Sequence, residues 1–135
     1  MSDEVEIERA NWPNGLPRYK HPYKDDEPHG VHYGWYENGW AEYACHYEHG
    51  KRRGACCGWY ADGQPKHECH YERGRPHGLW QGWYANGQPK YEHHYEYGKL
   101  HGICRGWDAH GQQIYEDRYE HGKRVPAPAK EKDHE

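Results

Sequence analysis

The stretch Gly82-Trp83-Tyr84-Ala85-Asn86-Gly87-Gln88-Pro89-Lys90-Tyr91-Glu92-His93-His94-Tyr95-Glu96-Tyr97-Gly98-Lys99-Leu100-His101-Gly102 decides the fold. Asn86-Gly87 lies between two aromatic runs, which is the strongest short-range hairpin signal and favours a two-residue type I′ turn. The same pattern returns every 24 residues. Gly-Trp-Tyr recurs at Gly34, Gly58 and Gly82, with Gly106-Trp107-Asp108 as a fourth copy. Turn dipeptides follow at Asn38-Gly39, Asp62-Gly63, Asn86-Gly87 and His110-Gly111, and Asn14-Gly15 marks a degenerate first copy. All 17 glycines fall into four such columns. Each column marks a backbone position that needs a positive φ or room for a neighbour.

The period fixes a register. With a two-residue loop at Asp62-Gly63, Tyr60 faces Pro65, Gly58 faces His67, Cys56 faces Cys69 and Gly54 faces Tyr71. Applied to the other copies, the same rule sets Gly34, Gly82 and Gly106 opposite Tyr43, Tyr91 and Tyr115. It also sets Gly30, Gly78 and Gly102 opposite Tyr47, Tyr95 and Tyr119. A ring over a cross-strand glycine covers bare backbone and stabilises it. A four-residue second turn, Glu72-Arg73-Gly74-Arg75, keeps the faces in phase and sets Tyr71 opposite Pro76 and Cys69 opposite Gly78. The expected fold is all-β: a single-layer, curved antiparallel meander of stacked 24-residue hairpins, about ten strands in all. Residues 10–124 form this repeat domain, five repeats with the first degenerate. Residues 1–9 read as an acidic tail, and residues 125–135 as a disordered Pro/charged tail.

Composition supports a fold held by rings. The chain has 135 residues, no Phe, and only nine Leu, Ile or Val residues. A conventional aliphatic core is therefore excluded, yet Trp 7 and Tyr 14 are too many for a disordered chain. No run approaches the about 20 apolar residues of a membrane span, and the acidic N-terminus is no signal peptide. Five cysteines without a framework spacing point to a reducing cytoplasm. A net charge of −4, with no basic block beyond Lys51-Arg52-Arg53, argues against nucleic acid.

The unit Gly-Trp-Tyr-x-Asn-Gly-Gln-Pro-Lys-x-Glu-x-x-Tyr-x-x-Gly-Lys-x-x-Gly resembles the MORN repeat, and more closely its bacterial variant, found in proteins classed as YwqK-like antitoxins. The resemblance covers roughly residues 10–124. It implies a single-layer sheet of stacked hairpins, partner binding, and in bacteria often the neutralisation of a toxin. The chain departs from the pattern in its many histidines and cysteines, and in Asp26 where other copies carry the turn glycine.

Candidate chemistry is sparse. His21, Cys45, Cys69, His93 and Asp117 share a column, but equivalent residues of successive hairpins stand about 9.5 Å apart, too far to share an ion. Adjacent strands bring His32 beside Cys45 and Cys56 beside Cys69. These four are the residues that would hold a metal if any did, but as pairs and not as a set of four. Cys56–Cys69 could form a disulfide under oxidant; in cytosol the thiols stay free. With one serine and no threonine, a hydroxyl nucleophile is nearly excluded, and a single layer offers no deep pocket. No catalytic residue and no cofactor are expected. The aromatic ladder remains. If the Tyr face is the core, the face carrying Trp35, Trp59, Trp83 and Trp107, with His46, His70 and His94, is left to bind another protein, a toxin or a second copy of the chain. Two alternatives are a metal- or pH-responsive protein using the His 14, and a self-assembling structural repeat.

Overall fold

The computed structural model describes residues 4–126. Its strands are β1 (Glu6–Asn11), β2 (Pro17–Lys24), β3 (Glu27–Pro28), β4 (Gly30–Trp35), β5 (Ala41–Glu48), β6 (Lys51–Trp59), β7 (Pro65–Glu72), β8 (Arg75–Pro76), β9 (Gly78–Trp83), β10 (Pro89–Glu96), β11 (Lys99–Leu100), β12 (Gly102–Trp107), β13 (Gln113–Glu120) and β14 (Lys123–Val125). They form one open antiparallel sheet in chain order, the meander the repeat demands. Among the described residues there is no helix. Two boundaries differ from the sequence reading. β1 begins at Glu6, inside the stretch read as an acidic tail, and Val125 closes β14 instead of opening the C-terminal tail. Residues 127–135 of that tail lie outside the described residues.

Both turns differ from those expected. At the Asn/Asp-Gly turn, the Gly63 N–H donates to the Tyr60 carbonyl and the Tyr60 N–H to the Gln64 carbonyl. Gly63 has φ 89, while Asp62 is not left-handed. This is a three-residue loop ending on a left-handed glycine, not a type I′ turn. Tyr60 therefore does not face Pro65; Trp59 does. The longer loop moves the pairing by one, and a bulge at Lys66 moves it back, so Gly58–His67, Cys56–Cys69 and Gly54–Tyr71 pair as expected. The second turn, by contrast, has a two-residue loop. Glu72 pairs with Arg75, and Arg73 (φ 51) and Gly74 (φ 81) both take the positive angles of type I′. Asp25 (φ 49) and Asp26 (φ 64) make the same turn in the first repeat without glycine.

Between hairpins a second correction appears. Tyr71 pairs with Pro76, but Glu68 pairs with Gln81, so two extra residues are taken up around His77–Gly78. Cys69 is therefore not opposite Gly78. Because two is even, the faces are kept. The offset aligns the hairpins into transverse rows. One row reads Tyr19, Gly34, Tyr43, Gly58, His67, Gly82, Tyr91, Gly106, Tyr115, each paired with the next. A Cβ on Gly34, Gly82 or Gly106 would fall inside the ring of Tyr43, Tyr91 or Tyr115, so this column is glycine because a ring occupies the site. The remaining thirteen glycines have positive φ. Among them Gly78 and Gly102 pair with tyrosines but lie next to the Cβ atoms of His70 and His94, not under a tyrosine ring. Their left-handed backbone turns the would-be side chain away from the tyrosine.

The core lies on the Tyr face. His32, Cys56, Cys69 and Cys104 are its buried side chains, flanked by the buried Gly34, Gly58, Gly82 and Gly106. Rings close over them. His32 packs against Tyr23 and Tyr47, and Trp80 packs between Tyr71 and Tyr95 at centroid distances of 5.3 and 4.9 Å.

Candidate functional site

The Trp column is tied into the sheet by a bonded spine of period 24. The hydroxyls of Tyr36, Tyr60 and Tyr84 donate to the carbonyls of Trp59, Trp83 and Trp107 at 2.7, 2.6 and 2.7 Å. Trp12 substitutes for tyrosine in the first repeat, its indole N–H donating to the Trp35 carbonyl at 3.1 Å. At the turns, Asn14, Asn38 and Asn86 donate to the carbonyls of Glu37, Ala61 and Ala109. On the other edge, the Gly50, Gly74, Gly98 and Gly122 N–H groups donate to Pro28, Arg52, Pro76 and Leu100. Each hairpin is thus bolted to the next at both ends, which fixes the spacing of everything the face displays. Asp108 stands at the tyrosine position of the last copy.

Trp35, Trp59, Trp83 and Trp107 are half-buried on the face opposite the core. Tyr33 stacks on Trp35 with centroids 5.7 Å apart. The row beside them runs Lys20, Tyr33, Ala44, Cys57, Glu68, Gln81, Glu92, Arg105, Glu116. Its section on β4–β6 is apolar, and its far section is charged. There Arg105 bridges Glu116 at 2.8 Å and Glu92 at 3.3 Å. His46, His70 and His94 pair with Val31, Ala55 and Leu79; His70 and His94 lie 3.4 and 4.0 Å from Glu68 and Glu92. Sequence columns missed Trp40, which is 56% exposed and packs against Gly63 of the next turn. The signal was its departure from the period: the equivalent positions of the next copies are Gln64, Gln88 and Gln112.

On the opposite face the structure joins the residues expected in pairs. His32 pairs with Cys45, Cys45 with Cys56, and Cys56 with Cys69, on four neighbouring strands. His21 stacks on His32 at 4.7 Å, and its Nε2 lies 2.7 Å from the Tyr43 hydroxyl. Among the described residues no three His, Cys, Asp or Glu side chains converge as metal ligands. Burial pushes the Cys69 thiol up to about 11. Arg52 spans this face, its Nε on the Tyr47 hydroxyl at 3.2 Å and its Nη1 on that of Tyr71 at 2.9 Å. The clefts are shallow. One borders the turns and is lined by Glu48, Lys51, Arg53 and Glu72, among others.

The fold and this geometry define an open repeat sheet with two displayed faces. Residues 28–49, 52–73 and 76–97 match the family described as MORN repeat variant, so the chain carries three tandem units similar to it. Such repeats form binding scaffolds and are generally non-enzymatic. The structure shows the same hairpin on either side of the matched segments, at β1–β2 and β12–β13. No curated protein matches the chain.

Proposed function

We propose that the chain is a cytoplasmic, non-enzymatic scaffold that binds another protein through its Trp face, as an antitoxin or immunity protein neutralising a bacterial toxin. The observation that carries this reading is the rigid row of half-buried tryptophans opposite the core, flanked by the apolar section Tyr33, Ala44 and Cys57 and by the exposed Trp40. Tryptophan and tyrosine in desolvated clusters dominate binding energy at interfaces. The charge of −4 favours a basic partner.

Two double variants test it: Trp35→Ala/Trp59→Ala and Trp83→Ala/Trp107→Ala. Partner capture from the native host, identified by mass spectrometry and measured by titration, falls by about thirtyfold or more for the first pair, since a hot-spot residue contributes about 2 kcal/mol or more. The second pair loses less, because the charged section borders it. Far-ultraviolet circular dichroism stays sheet-like in both. Undiminished affinity in the first pair refutes the face, and a partner that inhibits no growth when expressed alone refutes the antitoxin reading.

A further inference from the structure

We propose that Cys45 and Cys56 form a peroxide-oxidised dithiol, in which Cys45 is the thiol attacked first and Cys56 resolves it into a cross-strand disulfide joining β5 to β6. The inter-hairpin offset sets Cys45 directly opposite Cys56. Paired residues of antiparallel strands have Cα atoms about 4.5–5.5 Å apart, within the span of a disulfide. Cys56 also faces Cys69, but exposure separates the three: Cys45 is half-buried, whereas Cys56 and Cys69 are 3% and 8% exposed. Only Cys45 meets a small oxidant directly. The thiolate is the reacting form. The adjoining Cys56 thiol and the positive charge of Arg52, held by the Tyr47 and Tyr71 hydroxyls, draw the Cys45 thiol below its ordinary range. The neighbouring Cys45 and burial push Cys56 up. Cys57 lies on the opposite face beside Glu68, and Cys104 pairs with Asp117, so neither competes as resolving thiol.

The chemistry balances with hydrogen peroxide as the oxidant. The Cys45 sulfur attacks one peroxide oxygen, the O–O bond breaks, and hydroxide leaves to become water, giving a sulfenic acid. The Cys56 sulfur then attacks the Cys45 sulfur. The S–S bond forms, the S–O bond breaks, and the hydroxyl departs with the Cys56 proton as a second water. Two thiols and one peroxide yield one disulfide and two waters.

The test uses the full reduced chain and hydrogen peroxide, read by intact mass and a non-reducing tryptic map. Cleavage at Lys51, Arg52 and Arg53 separates Cys45 from Cys56, and cleavage at Lys66 separates Cys56 from Cys69; Cys57 shares the 54–66 peptide with Cys56, so backbone fragmentation between the two names the bond. The expected product has lost two hydrogens and joins Cys45 to Cys56. Cys69→Ser still gives it. In Cys56→Ser, dimedone labels Cys45. Iodoacetamide also modifies Cys45 at least about tenfold faster than Cys69, following the thiolate fraction. A Cys56–Cys69 link, or sulfinic acid on Cys45 with no link in the unsubstituted chain, overturns the proposal.

Discussion

Gly82 and Gly15 are both invariant to the period, yet they are glycine for different reasons. A Cβ on Gly82 would enter the Tyr91 ring, while a Cβ on Gly15 would meet nothing within 4 Å and only the strain of φ 90. Gly82→Ala must push a ring off the sheet and overpack its row, costing about 3 kcal/mol. Gly15→Ala keeps the packing and costs about 1 kcal/mol in left-handed backbone. Urea unfolding followed by tryptophan fluorescence separates them, and equal midpoints would show that ring occupancy does not explain the Gly34, Gly58, Gly82 and Gly106 column. Gly58 is the variant case: His67, not tyrosine, fills its site.

At the scale of the hairpin, the sequence reading found the pairing inside each repeat and missed the pairing between repeats. Within a repeat, two errors cancelled: a loop one residue longer than expected and a bulge at Lys66, equivalent to Arg18, Glu42, Lys90 and Ile114 elsewhere. Side-chain pattern alone is blind to such a cancelling pair, because the strand body looks the same. Between repeats, the kink at the Gly78 column takes up two residues and preserves face alternation, so the apolar pattern carries no trace of it. That is why Cys45 and Cys56 did not appear as neighbours. The turn glycines did signal left-handed backbone, and Asp26 shows what their absence does. It holds φ 64 where Gly50, Gly74, Gly98 and Gly122 sit in the other second turns. Asp26→Gly relieves that conformation and raises stability by about 1 kcal/mol, visible as an upward shift of the melting temperature. A lower melting temperature would mean that the Asp26 side chain contributes more than its backbone costs.

Across the whole molecule, the architecture and the tryptophan row were legible because both follow the period, while Trp40 and the joined His32–Cys45–Cys56–Cys69 row were not, because one departs from it and the other needs the inter-hairpin offset. The distribution of histidines has a further consequence that depends on the sheet as a unit. Burial on the Tyr face lowers the pKa of His21, His67 and His93, helped by the neighbouring charges of His32, Lys66 and His94 respectively. The folded sheet therefore holds these rings neutral, while in the unfolded chain they titrate near about 6.5. Above that pH neither state is protonated there and stability is full. As pH falls below it the unfolded chain binds more protons than the folded one, and stability declines until the folded rings titrate in turn. Because each hairpin leans on its neighbours, loss at three separate hairpins weakens the whole array. His67 isolates the effect. It occupies the row position held by Tyr43, Tyr91 and Tyr115, and its buried Nδ1 has no hydrogen-bond partner among the described residues. His67→Tyr removes one ionisable ring and one unsatisfied nitrogen while restoring the row. Its melting temperature exceeds the parent's at pH 8, and the gap widens at pH 5.5. A constant gap across that range would assign the acid loss to other groups and leave His67 a packing residue alone.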